Sequence, residues 1–142
     1  MTISIKQIDD GGMDFEGKDG GKPGVLVIHD RWEPSSADFT LFVATRQYRV
    51  RAITARVEVA GTDASAVTAT IKKAASGTAI ASGTAIHSST INLKGTAATN
   101  QTLTLSATST DLDIPAGTAI GIDFTGVLTA AVGCVTVALA PV

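Results

Sequence analysis

The chain has 142 residues, a net charge of −2 and a single cysteine, Cys134. That length suits one domain, or one domain and a tail, and allows about two thirds of the unfolded surface to be buried without a disulfide or metal staple. The balance of charge gives no electrostatic case for a nucleic-acid partner. No window holds the ~18 consecutive apolar residues of a membrane span, and the opening MTISIKQIDDGG lacks the basic flank and apolar run of a secretion signal. The expectation is a protein made and used in a cytoplasm, or assembled there and released by lysis.

Charge is unevenly spread: 17 of the 24 charged residues lie in residues 1–58. Aromatics make up only 4 %. The later Thr/Ala/Gly-rich half has few solubilising groups, which suits contact with other subunits as well as it suits a Thr-rich exterior exposed to water.

Residues 1–24 combine a short Ile3/Ile5/Ile8 run with DDGGMDFEGKDGGKPG. This composition predicts an arm or loop that orders in an assembly. Gly12, Gly17 and Lys18 match part of a phosphate-binding loop. Asp19 stands where that loop needs Ser or Thr, and the Gly/Pro run that follows cannot form the required helix, so nucleotide binding is rejected.

From residue 25 the chain reads as one β-sandwich domain over 25–142. VLVIH at 25–29 predicts a buried strand, and Asp30–Ser36 a loop carrying Trp32, the only tryptophan. FTLFVA at 39–44 predicts another strand, turning at Thr45-Arg46-Gln47. Tyr48–Lys73 reads as a long hairpin, two alternating runs about a Gly61–Ser65 turn. In its first run apolar parity flips near Ala52-Ile53. A β-bulge there places Tyr48, Val50, Ile53, Ala55, Val57 and Val59 inward and Arg49, Arg51 and Arg56 outward.

Later segments are shorter. Residues 78–81 and 90–93 predict minor strands, and Gly95–Gln101 a polar loop. TLTLSA at 102–107 predicts a strand with Leu103, Leu105 and Ala107 inward. Asp111–Gly117 reads as a turn using Pro115 and Gly117. Ile120, Ile122 and Phe124, and then Val135, Val137 and Leu139, mark the last two strands. With no sustained helical periodicity, roughly seven to nine short strands predict an all-β antiparallel sandwich, jelly-roll-like, with an extended N-terminal arm.

Chemistry is sparse. His29 and His87 are the only histidines, and no nucleophile-elbow pattern occurs, so no catalytic residues and no enzyme activity are expected. No metal or cofactor site is assigned: Asp111, Asp113 and Asp123 offer oxygen ligands for calcium, but turn capping is the preferred role for Asp111 and Asp113. The candidate partner-contact residues are Trp32, as a loop-borne interface anchor, and the basic group Arg46, Arg49, Arg51 and Arg56, which can face an acidic surface or simply keep an exposed sheet solvated.

The stretches FTLFVATRQYRVRAI, VEVAGTDASAVTATIKKA, TLTLSATSTDLDIPAGTAIGIDFTG and VTVALAPV together resemble jelly-roll capsid decoration (cement) proteins and related head proteins of tailed bacteriophages. The resemblance runs from about Asp38 to Pro141 and leaves residues 1–37 unmatched. It implies a virion protein on the capsid surface, often a homotrimer, that bridges neighbouring copies of the major capsid protein. It supplies no residue-level binding site. The alternatives are another virion part, such as a head fibre or a tail or baseplate adaptor, and a carbohydrate-binding adhesion module. The latter is poorly served by so few aromatics.

Overall fold

In the computed structural model, residues 24–142 are described, and they form two five-stranded antiparallel sheets packed face to face. The strands are β1 (Leu26–Trp32), β2 (Phe39–Val43), β3 (Tyr48–Val59), β4 (Thr68–Ala74), β5 (Thr84–Ala85), β6 (Ile91–Asn92), β7 (Thr99–Thr102), β8 (Asp113–Ile114), β9 (Ala119–Thr125) and β10 (Val132–Pro141). The first sheet has the order β1-β10-β3-β7, with β8 also on β3. The second has the order β2-β9-β4-β5, with β6 also on β4. The arm expected at 1–24 and the rejected phosphate-loop residues Gly12, Gly17 and Lys18 lie outside the described residues, apart from Gly24.

The pairing explains the topology. β1 pairs with β10, β2 with β9, β3 with β8 and β7, and β4 with β6 and β5. The chain is thus one long nested hairpin whose tip lies between β4 and β5. Rolling it up makes successive outer strands fall in alternate sheets, which is the jelly-roll arrangement expected from the sequence. Tyr48–Lys73, however, is not a hairpin. β3 belongs to the first sheet and β4 to the second, and residues 60–67 cross between them. The crossover is tied down elsewhere: Gly61 N–H donates to Leu93 O and Thr62 N–H to Thr129 O, both at 2.9 Å. Lys94 Nζ donates to Asp63 O at 2.6 Å and Ser65 O at 3.1 Å.

The bulge in β3 is present. Ala52 faces Ala138 but Val50 faces Leu139, so Arg51 is the extra residue. It lets Tyr48 and Val50 join Ile53, Ala55 and Val57 in the core. Val59 does not follow them. A second register shift at Val132/Gly133 leaves it 48 % exposed.

Three short segments differ from expectation. Residues 80–82 form a 3-10 turn, not a strand. Its Ile80 side chain lies over Gly121, where any Cβ would come within 2.6 Å of Ile80 and of Phe39 O. β7 occupies the expected polar loop, and 103–107 make one isolated bridge, Leu105 to His87. Leu103 is buried but Ala107 is exposed. At 115–118 the expected turn forms, with Thr118 N–H donating to Pro115 O at 3.1 Å and Gly117 at φ 83°. Pro115 opens this turn, and glycine occupies the position that requires positive φ.

Candidate assembly surface

Alternation along β1, β10 and β3 decides which side chains leave the first sheet outward. Trp32, Val135, Val137, Leu139, Ile53 and Val57 point in and are buried. Opposite them, Val27, His29 and Arg31 of β1 register with Ala138, Thr136 and Cys134 of β10. These in turn face Ala52, Thr54 and Arg56 of β3. The outer face therefore has an apolar end, a threonine centre and a charged end.

At the charged end the cations are neutralised locally. Arg31 Nε pairs with Glu33 at 2.7 Å and Arg56 Nε with Glu58 at 2.7 Å. Arg56 Nη1 also donates to Asn100 Oδ1 at 3.1 Å. Such exposed pairs hold side chains in place more than they stabilise the fold. Arg49 has a different task. Its Nη1 pairs with Asp113 Oδ1 at 2.6 Å and its Nη2 donates to Ser109 Oγ at 2.9 Å. From the second sheet, Lys73 Nζ donates to Thr110 O at 2.5 Å and Asp113 O at 2.9 Å. The 109–114 segment is thus held by one cation from each sheet.

Of the expected contact residues, Arg46 and Arg51 are exposed and make no ion pair among the described residues. Arg49 and Arg56 share the outer face but are engaged. Trp32 is corrected. It ends β1 instead of riding a loop, and it is fully buried, edge-on to Phe124 with ring centroids 6.5 Å apart. The signal was available in the sequence, because Leu26, Ile28 and Trp32 share one parity. Sequence reasoning also missed Val25 and Val27, taken as part of a buried run but 50 % and 53 % exposed.

His87 is buried. The Ile71 N–H donates to its Nε2 at 2.8 Å, and its Nδ1 donates to Ser89 O. Accepting at Nε2 requires the neutral ring, and burial pushes its pKa below the ordinary histidine value, against a smaller opposing effect of the Ser89 carbonyl. His29 lies on the outer face of β1, in the other sheet. Asp113 and Asp123 are committed to Arg49 and Lys72, and Asp111 accepts from Ser106 Oγ at 2.6 Å. Among the described residues no three metal-ligating side chains come together.

The surface is a jelly-roll face. The chain is similar to a solved chain of the cyanophage Pam1 capsid asymmetric unit, with TM-score 0.50 and 19 % identity over 83 % of this chain and 84 % of that one. It is also similar to a chain of infectious bursal disease virus, Gx strain, with TM-score 0.36 and 15 % identity over 81 % of this chain but only 32 % of that one. The first likeness establishes the shared fold. No protein-family model matches the sequence, and neither does any curated protein.

Proposed function

We propose that the protein is a non-enzymatic structural component of a virion that decorates a phage head as a homotrimer and stabilises it by binding the outer lattice of the major capsid protein. The observation that carries this reading is the near end-to-end likeness to a chain of similar length in the cyanophage capsid. Two features support it. The described aromatics are buried or packed against the core, so they offer no sugar-stacking platform. The first sheet presents a broad outer face bordered by Arg46 and Arg51, whose charges are available to a partner.

Stabilisation follows from mass action. A protein that binds only the assembled lattice adds about 2.7 kcal/mol per site when present at a hundred times its Kd. Heating purified heads with and without the protein tests this: decorated heads rupture at the higher temperature, and identical rupture temperatures contradict the role. Light scattering tests the trimer: a mass three times that of the protomer is expected, and a monomer at high concentration contradicts it.

A further inference from the structure

On one side of the sandwich both sheet edges are interrupted. β7 and β8 pair with β3 at Thr54–Val57 and at Tyr48–Arg49, with a gap between them. β6 and β5 pair with β4 at Thr68–Ala69 and at Lys72–Lys73, with Thr70 and Ile71 between them. The chain that swings out at one gap bonds to the chain that swings out at the other. Ser88 N–H donates to Thr104 O at 2.9 Å and Ser106 N–H to Ile86 O at 3.1 Å, with His87 opposite Leu105. Residues 86–88 and 104–106 therefore form a seam that joins the two sheets. Toward β6 the Gln101 side chain closes it further, accepting from Asn92 N–H at 2.9 Å and donating to Asn92 O at 2.8 Å.

A side chain fills the gap on β4. Ile71 O accepts from Ile86 N–H at 3.1 Å, but the Ile71 N–H donates to His87 Nε2 at 2.8 Å instead of to a strand. Nδ1 carries the ring proton and faces the Ser89 carbonyl. An imidazolium has no acceptor. Protonation therefore sets a second donor against the Ile71 N–H and leaves that buried group unsatisfied. No charged side chain on the surrounding elements is free to compensate. On β4, Lys72 pairs with Asp123 of β9 at 2.8 Å, and Lys73 donates to Thr110 O and Asp113 O. Asp113 pairs with Arg49 of β3, and Asp111 accepts from Ser106 Oγ. Residues 84–92 and 103–106 carry no other titratable side chain.

We propose that this seam is an acid-operated latch: protonation of His87 parts residues 86–88 from Ile71 and opens the sandwich on this side while the β1-β10-β3 ladder stays paired. Opening uncovers Ile71 and Ile86, both fully buried in the closed form, so mild acid gives the protein an apolar surface it lacks at neutral pH. The bridge between Gln101 and Asn92 does not titrate and confines the opening to the His87 end. The latch does not depend on the virion reading.

Amide hydrogen exchange of the full chain at pH 7.5 and 5.5, corrected for the intrinsic pH dependence, tests this. The amides of Ile71, Ser88 and Ser106 are expected to be less protected than those of the β10–β3 ladder, because they open locally. Between the two pH values they are expected to lose protection about tenfold, the linkage for a ring that returns to an ordinary value near 6.5 when the seam opens. His87→Gln, which offers an uncharged acceptor, is expected to abolish that loss. Equal protection of seam and ladder at both pH values overturns the proposal, because only global unfolding then exposes the ring. Unchanged seam protection between the two pH values also overturns it, and this comparison needs the unsubstituted protein alone. A tenfold loss that persists in His87→Gln overturns the role given to the histidine.

Discussion

Gly133 stands opposite Trp32 in the β1–β10 ladder, and the indole fills the space where a side chain at Gly133 would be. A Cβ there would collide with the indole ring and with Arg56 O. Gly133→Ala is therefore expected to destabilise the sandwich by about 1–3 kcal/mol through overpacking. Chemical denaturation measures this. Trp32→Phe should recover part of the loss in the double variant, and a strictly additive double variant would show that the two residues do not share the space.

The bulge at Arg51 makes a sharper prediction. Arg51→Ala leaves the backbone in place and should change stability by no more than about 0.5 kcal/mol. Deleting Arg51 removes the extra residue and forces Tyr48 and Val50 to the opposite face. The deletion is expected to unfold the protein or cost more than about 3 kcal/mol, since two buried side chains are lost from the core at about 1.5–3 kcal/mol each. Circular dichroism melts of the two variants check this.

His87 predicts a pH dependence. Its pKa is lowered in the folded protein, so below the ordinary value of about 6.5 the unfolded chain binds more protons than the folded one. Stability is then fully present above that value and falls as pH drops through the window down to the lowered folded pKa. The denaturation midpoint should decline between pH 7.5 and 5, before carboxylates titrate. His87→Gln should flatten this decline. An unchanged decline in His87→Gln contradicts the assignment.

The paired hold on residues 109–114 should be unequal. Lys73→Met removes donors from two backbone carbonyls and is expected to cost about 1–2 kcal/mol. Arg49→Gln breaks a partly exposed ion pair and should cost no more than about 1 kcal/mol, less in high salt. Urea midpoints at two ionic strengths separate the two effects.

Alternation in the sequence was a sound guide to which face a residue occupies, and a poor guide to which strand lies alongside. The parity flip at Ala52-Ile53 located the bulge because a slip of one residue moves every side chain to the other face. The same pattern could not show that Gly61–Ser65 crosses between sheets, since the bonds that fix the crossover come from Leu93, Thr129 and Lys94, far along the chain. Trp32 was misplaced because the charged Asp30 and Arg31 before it resemble loop chemistry, although Trp32 keeps the parity of Leu26 and Ile28. The burial of His87 left no local trace at all, because its partner is the Ile71 backbone N–H. At the candidate surface, Arg46 and Arg51 were legible as exposed cations, and the Arg56–Glu58 pair lies two residues apart on one strand, while the ion pair that occupies Arg49 depends on the tertiary placement of Asp113.

The proposed binding of this jelly roll to an assembled capsid lattice is tested most directly by co-sedimentation of the purified protein with heads that lack it. Saturable pelleting at a fixed ratio to major capsid subunits, weakened by Arg46→Glu with Arg51→Glu, is the expected result. A protein that stays in the supernatant at micromolar concentrations of both components would contradict the account.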